Sequence, residues 1–241
     1  YEIPKRDWSS DVCSSDLEKA LELRPDDTGV LNNLAWLLAT SPDDALRDSK
    51  RAVELARKAC EKTEWKQAHI VSTLAAGHAE AGDFEAAKTL VDIITQVAGG
   101  EGSKARRQHA MIGIDLLVAG STMQHIVSHT ASIDDRQFEV VKALCLALGE
   151  VIVRPLAEAL SIEERSRARE RMTAILVAFG PTGRRTVERL KTSSNAAVRR
   201  TAIYLLREFG GASALPELAE LLDDDEPQVQ REAVQIGRAH V

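Results

Sequence analysis

Apolar residues recur every three or four positions through the first hundred residues, which is the spacing of one buried helix face. One such stripe consists of Leu31, Leu34, Ala35 and Leu38. Short polar segments with Pro, Gly and Asp interrupt the stripes, and residues of these types end helices. The pattern predicts short helices separated by breaks at Pro25, Ser41–Asp44 and Ala81–Asp83.

After the glycine-rich stretch Gly99–Ser103 the pattern changes from Ala-rich to Leu- and Arg-rich segments. Ala197–Ala202 recurs 31 residues later as Gln228–Ala233. Three predicted helices end alike, 31 and 30 residues apart, at Gly149, Gly180 and Gly210. A period of about 31 residues with two helices in each indicates a repeat array, in which each glycine is a left-handed helix stop. The expected fold is therefore all-α, a helical-repeat solenoid.

The first pattern resembles the tetratricopeptide repeat, a helical hairpin. Ala79–Ala87 (AEAGDFEAA) is similar to the turn and second-helix start of such a repeat, and Leu34 and Leu74 begin Leu-Ala pairs where that family has Leu-Gly. The turn of the first full unit carries an insertion at Asp43–Asp48. The resemblance covers residues 18–100, with the first unit truncated, and implies stacked hairpins with a groove along their first helices.

Side chains on those first helices that point away from the Leu/Ala stripe are expected to line the groove. The candidates for protein binding are Asn32, Trp36, Thr40, His69, Ser72 and Glu80. Trp36 has an alternative interpretation as a packing residue. The Asn/Lys pairs with which some chaperone-binding members of the family grip a peptide carboxylate are missing, which argues against a carboxylate clamp.

The second pattern resembles HEAT-like repeats of the short bacterial type. Asp223–Ala233 (DDDEPQVQREA) carries most of this likeness, since an acidic-Pro-x-Val-Arg sequence starts the first helix of such a repeat. Pro227 and the acids before it also suit a helix N-terminus on physical grounds. The likeness covers residues 133–235, with the last repeat truncated, and leaves residues 101–132 as adaptor helices or a degenerate repeat.

Both ends of the chain resemble translated sequencing-library adapter. When Arg6–Leu17 (RDWSSDVCSSDL) and Gln235–Val241 (QIGRAHV) are written back as codons, they are similar to one adapter in its two orientations. The alternative is a natural polar tail at each end. We therefore expect residues 1–17 and 236–241 to be non-native tails, and the part between them to be a fragment whose true termini are not visible.

Composition limits the classes of partner. The chain has 31 basic and 37 acidic residues and a formal net charge of −6, so it has no general attraction for nucleic acid or an anionic membrane. No apolar run approaches the roughly 20 residues that a membrane helix needs. We expect a cytoplasmic protein, although a signal peptide stays open because the true N-terminus is not visible.

Candidate catalytic and metal chemistry is sparse. His125 and His129 have the i, i+4 spacing that can hold a metal, but no Glu follows the first His, and a surface pair is favoured. Cys145 lies on an apolar stripe and Cys60 closes a helix, so both are interpreted as structural thiols and not as nucleophiles. We predict no catalytic residue, no cofactor and no metal.

Arginine is concentrated near predicted helix starts in the second pattern. The candidates for a basic ridge are Arg167, Arg171, Arg184, Arg185, Arg199 and Arg200. If stacked helices align their starts, such a ridge suits an acidic protein or a nucleic-acid backbone. The competing interpretation is a solvated face, because four glutamates are interleaved with the arginines: Glu163, Glu164, Glu170 and Glu188.

These observations predict a non-catalytic scaffold or adaptor whose two arrays bind other proteins or peptides. A first alternative is a HEAT-like nucleic-acid-binding module that uses the arginine ridge. A second is the regulatory part of a larger enzyme.

Overall fold

A computed structural model describes residues 14–100, 104–119, 122–210 and 219–238. Every regular element in these ranges is a helix and none is a strand, which confirms the all-α, helical-repeat prediction. Several predictions fall outside the described residues: most of the first predicted tail (residues 1–13), half of the second (residues 239–241), part of the predicted join (residues 101–103) and the side chain of His125. The chain divides into two compact units between Thr122 and Met123.

The first unit has six described helices, and three of the breaks between them fall where the sequence predicts, at Pro25, Ser41–Asp44 and Ala81–Asp83. They are α1 (Ser14–Leu23), α2 (Thr28–Thr40), α3 (Ser49–Lys62), α4 (Ala68–Glu80), α5 (Phe84–Gly99) and α6 (Lys104–Ala119), with a 3₁₀ turn at Asp44–Leu46 between α2 and α3. The starts of α2, α3 and α5 follow from aspartate caps. The carboxylate of Asp27 accepts from Gly29 N and Val30 N, and that of Asp83 accepts from Ala86 N.

Helix α1 begins earlier than the sequence analysis allows, because Ser14–Leu17 form its first turn although they were assigned to the tail. Two local features explain this. Asp16 lies in the first turn, where a negative charge favours the helix dipole, and Leu17 continues the helical face of Leu21. None of the residues of α1 is buried, so this helix contributes little to the core.

The helices of the first unit pack as consecutive pairs, and α2, α4 and α6 also pack side by side. The core contains large side chains such as Leu31, Leu74 and Ile94 together with small residues at the crossings. A Cβ on Gly77 would lie 3.1 Å from Cγ2 of Val53, so glycine allows α4 to approach α3 closely. Helix α6 contacts α4 and α5 as the next member of the same series.

The second unit contains α7 (Thr122–Thr130, which begins at the boundary), α8 (Asp135–Leu148), α9 (Val153–Ile162), α10 (Ser166–Ala178), α11 (Gly180–Leu190), α12 (Ala196–Gly210) and α13 (Pro227–Arg238). Further 3₁₀ turns lie at Glu150–Ile152 and Glu220–Asp223. The starts of α8, α10, α12 and α13 are 31, 30 and 31 residues apart, which confirms the predicted period. Two of the three glycines have the positive φ of the predicted stops, 82° at Gly149 and 56° at Gly180, whereas Gly210 lies within α12 as its last described residue.

Packing in the second unit centres on α12, which contacts α9, α10, α11 and α13. Leu156 and Leu160 of α9, Leu176 of α10 and Leu205 of α12 are fully buried. At the beginning of α8, Asp134 and Gln137 form a reciprocal capping box. The unit therefore has its own apolar core, built from helices that recur at the repeat period.

Candidate protein-binding surfaces

The part of the predicted groove on α2 is half-buried. Trp36 and Asn32 are both partly accessible, and the hydroxyl of Thr40 donates to the carbonyl of Trp36 at 2.7 Å. Oδ1 of Asn32 is buried and has no hydrogen-bond partner among the described residues. A buried amide oxygen without a donor costs free energy, so a donor from a bound chain would be favourable here.

On α4 the structure corrects one groove residue. Ser72 is fully buried and its hydroxyl donates to the carbonyl of His69 at 2.8 Å. The cause is α6, which packs against this face of α4: a Cβ on Gly113 would lie 3.2 Å from Ala68 O and 3.5 Å from Ser72 Cβ. The apolar stripe on α4 does not indicate this third helix, so the sequence alone predicts an open groove at Ser72.

The other two α4 candidates, His69 and Glu80, are partly buried ionisable groups. Burial lowers the pKa of His69, and the nearby His109 of α6 lowers it further. Burial raises the pKa of Glu80, although its ion pair with Nε of Arg47 at 3.0 Å opposes that shift. The insertion in the α2–α3 turn supplies this arginine. That the other five candidate residues bind a partner stays a prediction.

A pocket that the sequence analysis missed lies beside the α3–α4 turn. It has a volume of about 270 Å³, and its walls come from that turn, α4, α5 and α6. Trp65 and Ile93 line it with exposed fractions of 49% and 50%. The available signal was Trp65 itself, one of three tryptophans, placed in a turn outside any apolar stripe.

Arginines of the proposed basic ridge divide into buried and exposed groups. Arg171 of α10 is only 7% exposed and stacks over the ring of Phe138, 4.9 Å from its centroid. Its guanidinium donates to the carbonyls of Thr130 and Ile133 at 2.7 and 2.8 Å and to Asp135 at 2.6 Å. Arg171 therefore joins α10 to the segment between α7 and α8 and is not part of an exposed ridge.

Arg199 at the start of α12 likewise forms a largely buried ion pair within the unit. Its Nε and Nη2 donate to both oxygens of Asp224 at 2.8 and 2.7 Å, and the two side chains are 14% and 7% exposed. This fork holds the pKa of Asp224 below its usual value. The pair connects α12 to the segment that leads into α13.

The remaining ridge candidates are more accessible and contact neighbouring polar groups. Arg167 lies 3.3 Å from Asp135, Arg184 lies 3.1 Å from Glu188, and Arg185 and Arg200 donate to Thr182 and Gln228, respectively. Arg165 forks onto Glu163 and holds the pKa of that carboxyl at about 2. Two of the interleaved glutamates, Glu163 and Glu188, thus pair with arginines. The prediction that Arg171 and Arg199 belong to an exposed ridge is wrong, because their guanidinium groups donate hydrogen bonds to acceptors within the unit.

The thiols and histidines show no assembled reactive site in the described part of the chain. Cys60 and Cys145 are buried and unpaired, and burial raises the pKa of each thiol to about 12. His129 is half-buried, and burial lowers its pKa. Within the described ranges, no cluster of three or more His, Cys, Asp or Glu side chains is arranged to hold a metal. No helix in those ranges is both long and apolar enough to span a membrane.

Comparison with known families matches residues 184–236 to HEAT repeats. The matched stretch runs from the first turns of α11 through α12 and most of α13. No curated protein matches the chain. The C-terminal part of the second unit is therefore similar to HEAT repeats in its sequence and in the regular spacing of its helix starts.

Proposed function

We propose that this chain is part of a non-catalytic scaffold that binds other proteins or peptides through two helical-repeat arrays of a longer, bacterial-type cytoplasmic protein. The supporting observation is that successive helix starts are 31, 30 and 31 residues apart in a unit whose last part matches HEAT repeats. Stacked repeats of this kind present extended surfaces, and such surfaces suit macromolecular partners better than small substrates.

The proposed organisation has a tetratricopeptide-like array over residues 18–100 and a HEAT-like array over residues 133–235. Support for the first array comes from the hairpins α2–α3 and α4–α5 and from the side-by-side packing of α2 and α4. Residues 101–132 would then be adaptor helices or a degenerate repeat, and α6, which packs on α4, is compatible with either.

We also propose that residues 1–17 and 236–241 are not native. The HEAT match ends at residue 236, next to the proposed junction. The side chains of α1 are not buried, so a chain of residues 18–235 is expected to unfold within a few degrees of the full chain. Thermal unfolding followed by circular dichroism measures this. A fall of more than about 10 °C would show that the tails belong to the fold.

A capture experiment with matched variants tests the scaffold proposal. The chain of residues 18–235 is immobilised and exposed to bacterial lysate, beside the groove variants Trp36→Ala and His69→Ala. The control Leu23→Ser changes a side chain that is 83% exposed on α1. We expect the same set of proteins on wild type and control, and a reduced set on the groove variants. Equal capture by all four chains would contradict a role for the groove.

The nucleic-acid alternative is tested separately through the accessible arginines. Arg167, Arg185 and Arg200 are reversed to Glu, because reversal of the buried Arg171 or Arg199 would damage the fold. We expect no binding of a labelled duplex or single strand by either chain at low salt. Binding by wild type that falls steeply with salt and is lost in the triple variant would establish the alternative in place of the scaffold.

A further inference from the structure

The pocket beside the α3–α4 turn, here called the Trp65 pocket, combines an apolar wall with a mouth open to solvent. Trp65, Ile93 and Val97 supply apolar surface, and the first two are about half exposed. Aromatic residues make up only 4% of the chain, so an accessible tryptophan is uncommon in it. Large apolar side chains that face solvent around a concavity are typical of recognition sites.

The backbone fixes Trp65 at the edge of this pocket. Helix α3 ends with a hydrogen bond of 2.8 Å from Trp65 N to the carbonyl of Cys60, and Glu64 and Trp65 have φ of 51° and 59°. Two successive non-glycine residues in the left-handed region leave the turn one narrow conformation. The backbone that carries the indole is therefore defined before any partner arrives, so less backbone entropy is lost on binding.

The size of the pocket limits what it can accept. Its volume of about 270 Å³ is below the range of about 300–1,000 Å³ that is usual for small-molecule and cofactor sites. One aliphatic or aromatic side chain suits this volume, and the open mouth allows the rest of a peptide to stay on the surface.

The charge around the pocket selects for acidic neighbours of that side chain. Lys66 and His109 line the pocket, and the described lining residues include neither Asp nor Glu. Lys104 directly precedes the lining residue Ala105, in a first helical turn of α6 that contains no acid. Lys66 pairs with Glu64, but both side chains are more than 70% exposed, so solvent screens that pair. This positive surface contrasts with a chain whose net charge is −6.

We propose that the Trp65 pocket binds a peptide segment of a partner protein that presents one large apolar side chain flanked by Asp or Glu residues. The apolar side chain packs against Trp65 and Ile93, and the flanking carboxylates face Lys66 and Lys104. This inference rests on the proposed scaffold function and names one surface and one class of partner for it. The pocket shares no lining residue with the groove candidates on α2 and α4, although His109 of the pocket lies near His69.

A labelled, end-blocked peptide with a central leucine between glutamates is the probe, and its fluorescence anisotropy reports binding to the full chain at low salt. We expect saturable binding that weakens with added salt. Trp65→Asn should raise Kd at least about tenfold, since a central aromatic carries much of the energy of such contacts. Asn tolerates positive φ, so this variant is expected to fold. Lys104→Glu should raise Kd about threefold at low salt and less at high salt.

Matched controls and a second variant complete the test. Ile162→Asn and Arg189→Glu change an exposed apolar and an exposed cationic side chain in the second unit and should leave Kd unchanged. Ile93→Glu places a negative charge at the mouth and should abolish binding, even if Trp65→Asn proves unstable. Absence of binding by wild type, equal binding of a lysine-flanked leucine peptide, or unchanged Kd in Ile93→Glu would each overturn the proposal. Capture by the groove is measured separately, so either proposal can fail alone.

Discussion

Two arginines of α10 contact the same aspartate but are expected to differ in how much they stabilise the fold. Arg171 and Arg167 both approach Asp135, but Arg171 is 7% exposed and its side chain also satisfies two backbone carbonyls, whereas the side chain of Arg167 is 54% exposed. The sequence places both near the start of α10 and does not distinguish them. The difference comes from the segment between α7 and α8, whose carbonyls only the folded unit brings to Arg171.

Replacement of each arginine by methionine makes this difference measurable. Arg171→Met keeps an apolar side chain over Phe138 but leaves the carbonyls of Thr130 and Ile133 without their donor, so we expect a loss of about 2–4 kcal/mol in unfolding free energy. Arg167→Met should cost less than about 0.5 kcal/mol. Urea unfolding measures both values. Similar losses in the two variants would contradict the buried role of Arg171.

The α3–α4 turn contains a residue, Glu64, whose positive φ is expected to reduce stability. Glu64 occupies a left-handed position, which glycine adopts without the steric cost that a Cβ brings. Glu64→Gly is expected to raise the unfolding free energy by about 0.5–1 kcal/mol. In contrast, Glu54→Gly in the exposed interior of α3 should lower it by about 1 kcal/mol. A loss of stability on Glu64→Gly would show that the turn does not hold this conformation in solution.

Helices were the most predictable elements of this chain, because their ends are encoded locally. Pro25, the aspartate caps and the glycine stops each act within a few residues of the break that they cause. The burial of Ser72 was not predictable, and Trp65 was the one local sign of its pocket, since both features depend on α6, whose approach is fixed by tertiary packing. Local patterns therefore gave the elements, while the candidate surfaces needed the contacts between elements.

The junction of α11 with α10 and α12 provides a prediction at the scale of elements. A Cβ on Gly183 would lie 2.6 Å from Phe179 Cβ, 2.9 Å from Leu176 O and 3.2 Å from Phe209 Cζ. Gly183→Ala therefore forces α11 to shift and should destabilise the second unit by about 1–3 kcal/mol. Gly99→Ala is the control, because a Cβ on Gly99 meets nothing within 4 Å, and that variant should not lose stability. Thermal unfolding compares the two.

At the scale of the whole molecule, paired carboxylates determine the response to acid. The pKa values of Asp135, Asp224 and Glu163 are lowered by arginine neighbours, that of Glu163 to about 2. A carboxyl whose folded pKa lies below its unfolded value of about 4 contributes stability above that value, and the contribution is lost as pH falls towards the folded pKa. Acid has the opposite effect on stability at Glu80, because its raised pKa favours proton uptake by the folded chain.

We expect the unfolding free energy to change little between pH 7 and about pH 5 and to fall steeply below about pH 4. Urea titrations at a series of pH values measure this. Glu163→Gln removes one of the carboxyls with a lowered pKa, so the variant should lose less stability than wild type as the pH falls below about 4. An equal loss in the variant would mean that the Arg165–Glu163 fork is not populated in solution.

The two buried cysteines have a practical consequence, because one lies in each unit. A thiol reagent cannot reach Cys60 or Cys145 until the surrounding helices separate. The rate at which each thiol is modified therefore reports how often its unit opens. In the chain of residues 18–235, which lacks Cys13, these are the two thiols present. Mass spectrometry that assigns each label to its peptide would time the opening of the two units side by side in a single sample.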